Sequence, residues 1–188
     1  MKPELVHISE EIVRWSFEIS VNESEDWFIA FTNPTAGPWK RITAPNENGK
    51  FGEIHRFEID ETRPDLILVN DISREVVIIE AKTSFSDLQK PAQIAKTSQL
   101  FLDLRRKLRN VKSNEFWGNR SEYTYSLGLL WSSGDEASEE IVGTCKAYLQ
   151  NILSVTDDII CIRGTLSGDV LSSSSFKAIS GKVIQMPN

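Results

Sequence analysis

Residues Arg63 to Lys82 read RPDLILVNDISREVVIIEAK. Two apolar runs, Leu66-Ile67-Leu68-Val69 and Val76-Val77-Ile78-Ile79, flank the polar patch Asn70 to Glu75. Short β-branched runs separated by such a patch predict an antiparallel hairpin. A hairpin symmetric about Ile72 and Ser73 sets Leu66 against Ile79, Val69 against Val76 and Asp65 against Glu80. Residues directly opposite on an antiparallel pair share a face, with Cβ atoms roughly 5 Å apart. Lys82 lies two positions beyond Glu80, and side chains alternate along a strand, so it shares that face. Spacing alone therefore gathers two carboxylates and an ammonium at the mouth of one hairpin. The register is the critical step, because a slip of one residue turns Asp65 to the other face.

The surrounding chain supplies the frame for this hairpin. Ser9, followed by Glu10 and Glu11, is an N-cap with acids in the first turn, and predicts a helix to about Val21-Asn22. Ile8, Ile12, Trp15 and Ile19 fall along one side of it at helical spacing and are taken as its buried stripe. Trp27 to Phe31 reads as a short strand, 32 to 50 as a loop rich in turn formers, and Phe51 to Ile59 as a strand. Past Lys82, any turn over Ser86 to Lys90 is separate from the next helix, since Pro91 suits only a first turn. That helix spans about 91 to 110, with Ala92, Ala95, Phe101, Leu104 and Leu108 as its apolar stripe. A polar loop over 112 to 121 carries Phe116 and Trp117. Tyr123 to Trp131 reads as a strand, Glu136 to about Leu153 as a helix and Asp158 to Arg163 as a strand, with a terminal hairpin after the serine run 172–175. Helices interleaved with antiparallel and crossover-linked strands predict an α/β (α+β) fold, a central mixed β-sheet flanked by helices. Without an internal repeat or composition break, one domain over 1–188 is expected.

Composition narrows the function classes. Of the 188 residues, 40% are hydrophobic and 26% charged, as in an ordinary globular protein. No apolar run approaches the roughly 20 residues needed to cross a bilayer, and the start of the chain lacks a signal-peptide core. A cytoplasmic protein with no membrane partner is the expectation. Two cysteines, Cys145 and Cys161, are too few for a disulfide scaffold or a four-thiolate zinc site. The net charge of −6 weighs against a nucleic-acid partner, but it is uneven. Arg105, Arg106, Lys107, Arg109 and Lys112 cluster in RRKLRNVK without an acidic neighbour, whereas acids crowd the stretch from Glu4 to Asp26. A local basic stripe can bind phosphates on an acidic protein, and can equally be a solvated helix end. Trp39 and Trp117, beside basic residues in expected loops, are candidate base or backbone contacts or else buried loop anchors. His7 and His55 have no recognisable partner.

The chemistry of the cluster follows from its residue types. Two adjacent carboxylates repel each other and raise each other's pKa. Magnesium, a hard cation satisfied by one or two carboxylates plus water, relieves that repulsion. A bound divalent metal acidifies water and offsets charge on a phosphoryl oxygen, while an ammonium such as Lys82 can orient water or stabilise developing negative charge. Nothing elsewhere competes, since the chain has no Gly-rich phosphate loop and no HExxH. The alternative is a surface hairpin ending in an ordinary ion pair, which contributes little.

Pro64-Asp65, an apolar strand, a turn, and Glu80-Ala81-Lys82 closing a second apolar strand resemble the PD-(D/E)XK nuclease superfamily. The motif covers about 20 residues, and the order of elements about 8 to 165. The resemblance implies a restriction-endonuclease-like core, with Asp65 and Glu80 holding Mg2+ (or Mn2+) and Lys82 assisting the water. It implies a further acid from an upstream helix, for which Glu11 is the candidate and Glu18 the reserve, and a polar residue on the following helix, which Gln93 matches loosely. By resemblance the substrate is double-stranded DNA. A stand-alone chain of this length looks most like a type II restriction endonuclease acting as a homodimer. A repair or junction-resolving nuclease shares the core, and a decayed fold kept as a DNA- or protein-binding module is the alternative of another class.

Overall fold

The expected hairpin forms, and the sheet grows outward from it. The computed structural model describes residues 10–22, 26–32, 42–45, 51–54, 64–110, 117, 119–132, 139–153, 158–165 and 175–180. In chain order these form α1 (Glu10–Asn22), β1 (Phe28–Thr32), β2 (Ile42–Pro45), β3 (Phe51–Ile54), β4 (Leu66–Asn70), β5 (Glu75–Lys82), α2 (Phe85–Leu88) and α3 (Pro91–Asn110). A 3-10 turn over Arg120–Glu122, β6 (Thr124–Ser132), α4 (Glu139–Ile152), β7 (Asp158–Thr165) and β8 (Ser175–Ser180) follow. The main sheet has six strands in the order β1-β4-β5-β6-β7-β8. The β5/β6 and β6/β7 pairs are parallel and the remaining pairs antiparallel, so this is an α/β fold with a mixed sheet. Parallel neighbours need a crossover, and α3 and α4 supply the two.

The apolar runs of β4 and β5 are continuous because both faces of the sheet are covered. On one face Ile67, Val69, Val76, Ile78, Leu127 and Ile159 pack with Phe101, Leu104 and Leu108 of α3 and Val142 and Leu149 of α4. On the other, Leu66, Leu68, Val77, Ile79, Leu130 and Ile162 pack with Val13, Phe17 and Val21 of α1. Gly128 lets β6 lie close to β5: a Cβ there would come within 2.6 Å of Ile79 Cγ1 and 3.1 Å of Val77 Cγ1. The Asn70 side chain shapes the hairpin turn, its Oδ1 accepting from the backbone N–H of Ile72 and of Ser73 at 2.9 Å each. Arg74 closes that turn with φ of 59°, in the left-handed region.

Three expectations need correction. Residues 42–45 form a strand rather than loop, paired with β3 in a separate two-stranded ribbon, where Pro45 is tolerated because an edge needs no further donor. In α3 the buried stripe runs through Ile94, Thr97, Ser98, Phe101, Leu104 and Leu108, while Ala92 and Ala95 are exposed. Most consequentially, α1 buries the opposite side from the one expected. Trp15 is 50% exposed and Ile19 38%, while Val13, Phe17 and Val21 are fully buried. Trp131 and Phe101 are core residues as expected, and the end of the chain contributes β8. Among the described residues, no helix is long and apolar enough to cross a membrane.

Candidate active site

The hairpin register is the symmetric one: Leu66 pairs with Ile79, Ile67 with Ile78, Leu68 with Val77 and Val69 with Val76. The Asp65 N–H donates to the Ile79 carbonyl at 3.0 Å, which carries the pairing to the mouth of the hairpin. There the Asp65 side chain substitutes for a backbone acceptor, as Oδ2 takes the Ala81 N–H at 2.7 Å. Asp65 and Glu80 are both buried, at 8% and 4% exposure. Lys82 Nζ lies 3.0 Å from Glu80 Oε1, 3.1 Å from Glu10 Oε2 and 2.7 Å from the Ala81 carbonyl. An ammonium has three donors, so all three are engaged.

The helix after the hairpin holds Glu80 from the other side. Gln93, in the first turn of α3, donates from Nε2 to Glu80 Oε1 at 2.8 Å and to Thr97 Oγ1 at 3.0 Å. Thr97 is buried one turn further along. Both amide hydrogens of Gln93 are thereby used, which fixes the side chain against Glu80. Gln93 thus meets the site directly. Thr97 carries no sequence signal beyond its spacing of four from Gln93.

Electrostatics single out Asp65. Burial first, and the Glu80 carboxylate second, push its carboxyl from an ordinary 3.8 up to about 7, with Glu10 adding in the same direction. The Ala81 N–H and the Lys82 ammonium oppose the rise. For Lys82, burial acts to lower the pKa, but the carboxylates of Glu80, Asp65 and Glu10 outweigh it and hold the ammonium above its ordinary value. The hairpin mouth therefore carries one firm cation and an acid poised near neutrality.

Among the described residues, the acid that α1 brings to Lys82 is Glu10. Glu10 is in helical phase with Arg14, Phe17 and Val21, the side that packs on the sheet, and this phase carries it to Lys82. The side chain of Glu11 lies outside the described residues. Glu18, the reserve, is occupied elsewhere: Arg14 Nε lies 3.3 Å from its Oε1, which also accepts from Thr32 Oγ1 at 2.5 Å. The signal for Glu10 was the spacing Val13-Phe17-Val21, an apolar set that competes with the bulkier one.

The basic run does not join this cluster. Arg105 lies over the Phe101 ring at 5.4 Å, Arg106 Nη2 sits 3.2 Å from Asp103 Oδ1, and Arg109 lies over Tyr125 at 5.2 Å. Tyr125 pairs with Val76, at the far end of β5 from Glu80. Sixteen helical steps separate Gln93 from Arg109, about 24 Å of axis. Lys107 falls in the same last turns of α3, and Lys112 lies outside the described residues, as do Trp39, Phe116, His7 and His55. Trp117 is a buried anchor, not a base contact: it is 1% exposed and donates from Nε1 to the Tyr125 hydroxyl at 3.3 Å.

Among the described residues, no three acidic, histidine or cysteine side chains form a ready metal-binding group. Asp65 and Glu80 remain as a pair of hard oxygen donors whose mutual repulsion a cation would relieve, and that donor set fits magnesium, which needs only one or two carboxylates. Asp65 Oδ1 has no hydrogen-bond partner among the described residues. No protein-family model, no curated protein and no solved structure matches the chain.

Proposed function

We propose that the chain is a magnesium-dependent endonuclease that hydrolyses DNA phosphodiester bonds on a restriction-endonuclease-like core. One observation carries this reading: Asp65 and Glu80 are buried together at the hairpin mouth beside the half-buried Lys82, with Asp65 pushed up to about 7. An ordinary surface ion pair would not bury two repelling carboxylates together. Asp65 and Glu80 hold the metal, with manganese as a substitute, and Gln93 keeps the Glu80 carboxylate fixed. The metal supplies a more acidic water and charge compensation at the phosphoryl oxygen. Lys82 is the positively charged donor for the attacking water or for developing negative charge. Its tether to Glu10, whose side chain is 41% exposed, is the most accessible of its three contacts and the one to yield. The type II restriction role, with a homodimer on a two-fold-symmetric site, is the finer form of this proposal; repair or junction resolution shares the chemistry.

A non-catalytic binding module is the second reading, supported by the fully engaged Lys82, as a static scaffold would have. Supercoiled plasmid incubated with the protein and magnesium separates the two. The wild type is expected to cut, and Glu80→Ala and Lys82→Ala each to slow cutting by about 100-fold or more. Discrete fragments indicate restriction, and unselective nicking indicates repair. Cutting that survives Glu80→Ala refutes the site, and binding without cutting under any divalent metal leaves the module.

A further inference from the structure

The end of the sheet opposite the carboxylates carries a second organised cluster. Tyr123 and Tyr125, two positions apart along one strand direction, share a face. The Arg74 guanidinium lies over the Tyr123 ring at 5.5 Å, and Arg109 over Tyr125 at 5.2 Å. The rings are themselves fixed. The Tyr123 hydroxyl donates to Asp71 Oδ1 at 3.0 Å, and the Tyr125 hydroxyl to the Arg120 carbonyl at 2.9 Å. Arg120 between them is neutralised by Asp71 through two hydrogen bonds, Nε to Oδ1 at 2.7 Å and Nη2 to Oδ2 at 2.5 Å.

Arg74 and Arg109 are not neutralised in that way. Arg109 is exposed and has no carboxylate partner among the described residues. The carboxylate nearest Arg74 is Glu122, 3.8 Å away on a side chain 80% exposed. A guanidinium held near an aromatic face by cation–π attraction still has N–H donors for an oxyanion, and its planar fork matches that group's geometry. Two such groups on neighbouring rings suit successive phosphates better than a lone carboxylate.

Their position relative to the carboxylates is also informative. From Arg74 to Glu80, six positions of strand at about 3.3 Å come to roughly 20 Å. From Gln93 to Arg109, α3 gives about 24 Å. Both spans correspond to six or seven base-pair steps at roughly 3.4 Å. We propose that this tyrosine–arginine end is a second contact for the phosphate backbone of duplex DNA, six or seven base pairs from the bond cut beside Asp65 and Glu80. Only the reference to the cut bond rests on the nuclease reading; the binding surface stands apart from it.

The test is fluorescence anisotropy of a labelled 30-base-pair duplex with the full chain in EDTA, across a salt series, using Arg109→Ala and Arg74→Gly. Glycine suits the φ of 59° at position 74, and melting curves check that both variants fold. Each is expected to weaken binding roughly three- to tenfold and to reduce the slope of log Kd against log salt by about one. Arg109→Lys keeps the charge but not the planar guanidinium fork, so it should preserve the slope while losing affinity. Unchanged affinity and slope in both truncations overturn the proposal, as does tighter binding of single-stranded RNA of equal length. Plasmid cleavage tells the two readings apart. Cutting by the wild type with unaltered binding in the variants removes only this surface. Binding that depends on Arg74 and Arg109 without cutting removes only the nuclease.

Discussion

Replacing Asp65 with asparagine should stabilise the fold at pH 8 while it abolishes the proposed metal-dependent cleavage. Burial and the neighbouring Glu80 raise the Asp65 carboxyl from 3.8 to about 7 in the folded protein. The folded chain therefore keeps a proton that the unfolded chain releases between about pH 4 and pH 7. Stability must fall as pH rises through that window, by about 1.4 kcal/mol per pH unit, and level off above it. The accumulated penalty at pH 8 is on the order of 4 kcal/mol, a large share of the total stability of a domain. Asparagine has no charge to desolvate, and its carbonyl can still accept the Ala81 N–H that Oδ2 now takes at 2.7 Å. Urea denaturation in EDTA at pH 4, 6 and 8 measures the effect. The variant should match the wild type near pH 4 and exceed it by roughly that accumulated penalty at pH 8. Magnesium should then raise the wild-type midpoint and leave the asparagine variant unmoved, because only a species that binds the folded state stabilises it. A variant no more stable than wild type at pH 8, or an advantage independent of pH, refutes the account of a strained, buried carboxylate.

Three further outcomes test the frame around the site. Phe17→Ala should cost about 3–5 kcal/mol and Trp15→Ala less than about 1, measured by chemical denaturation, since only the first side chain is buried. Gly128→Ala should destabilise by about 1–3 kcal/mol, because its Cβ would meet Ile79 Cγ1 at 2.6 Å in the middle of the sheet. Combining it with Ile79→Ala should give a loss smaller than the sum of the two single losses. The Arg120 hydrogen bond holds the Asp71 carboxyl below its ordinary range, so its contribution is present above about pH 4 and is lost as pH falls further. Asp71 is 45% exposed, which limits the effect to under about 1 kcal/mol. Asp71→Asn should thus lower the denaturation midpoint at pH 7 and not at pH 3.

The parts of this fold legible in the sequence are those where one physical constraint dominates. Two apolar runs around a polar turn permit few pairings, and burial on both faces leaves the symmetric register between Leu66–Val69 and Val76–Ile79 as the one adopted. The face of α1 was not legible because two apolar sets share the helix. Trp15 and Ile19 form one apolar side and Val13, Phe17 and Val21 another, and it is the second set that packs against Leu66, Leu68 and Ile79. The side that packs on the sheet is also the side that brings Glu10 to Lys82. The basic run misled in another way. Its residues are cationic as read, but a straight helix converts sixteen positions of sequence into about 24 Å of separation from the carboxylates.

The mixed sheet itself accounts for where the carboxylate cluster lies. β5, β6 and β7 run parallel, so their carboxyl ends gather on one side, where Glu80 and Lys82 lie beside Leu129 and Trp131. The antiparallel β4 begins at that same end and delivers Asp65 there, and the crossover that follows β5 must start there too, which places Gln93 against Glu80. Open sheets with parallel strands commonly bind ligands beyond their carboxyl ends for this topological reason. The remaining member, Glu10, comes from the opposite face and reaches the site only through the long side chain of Lys82. Asp65, Glu80 and Gln93 are thus set by backbone topology, and Glu10 by helix rotation alone. Glu10→Gln should accordingly disturb the site least among these substitutions, leaving the hairpin pairing and the Glu80–Gln93 contact intact while freeing Lys82 to move.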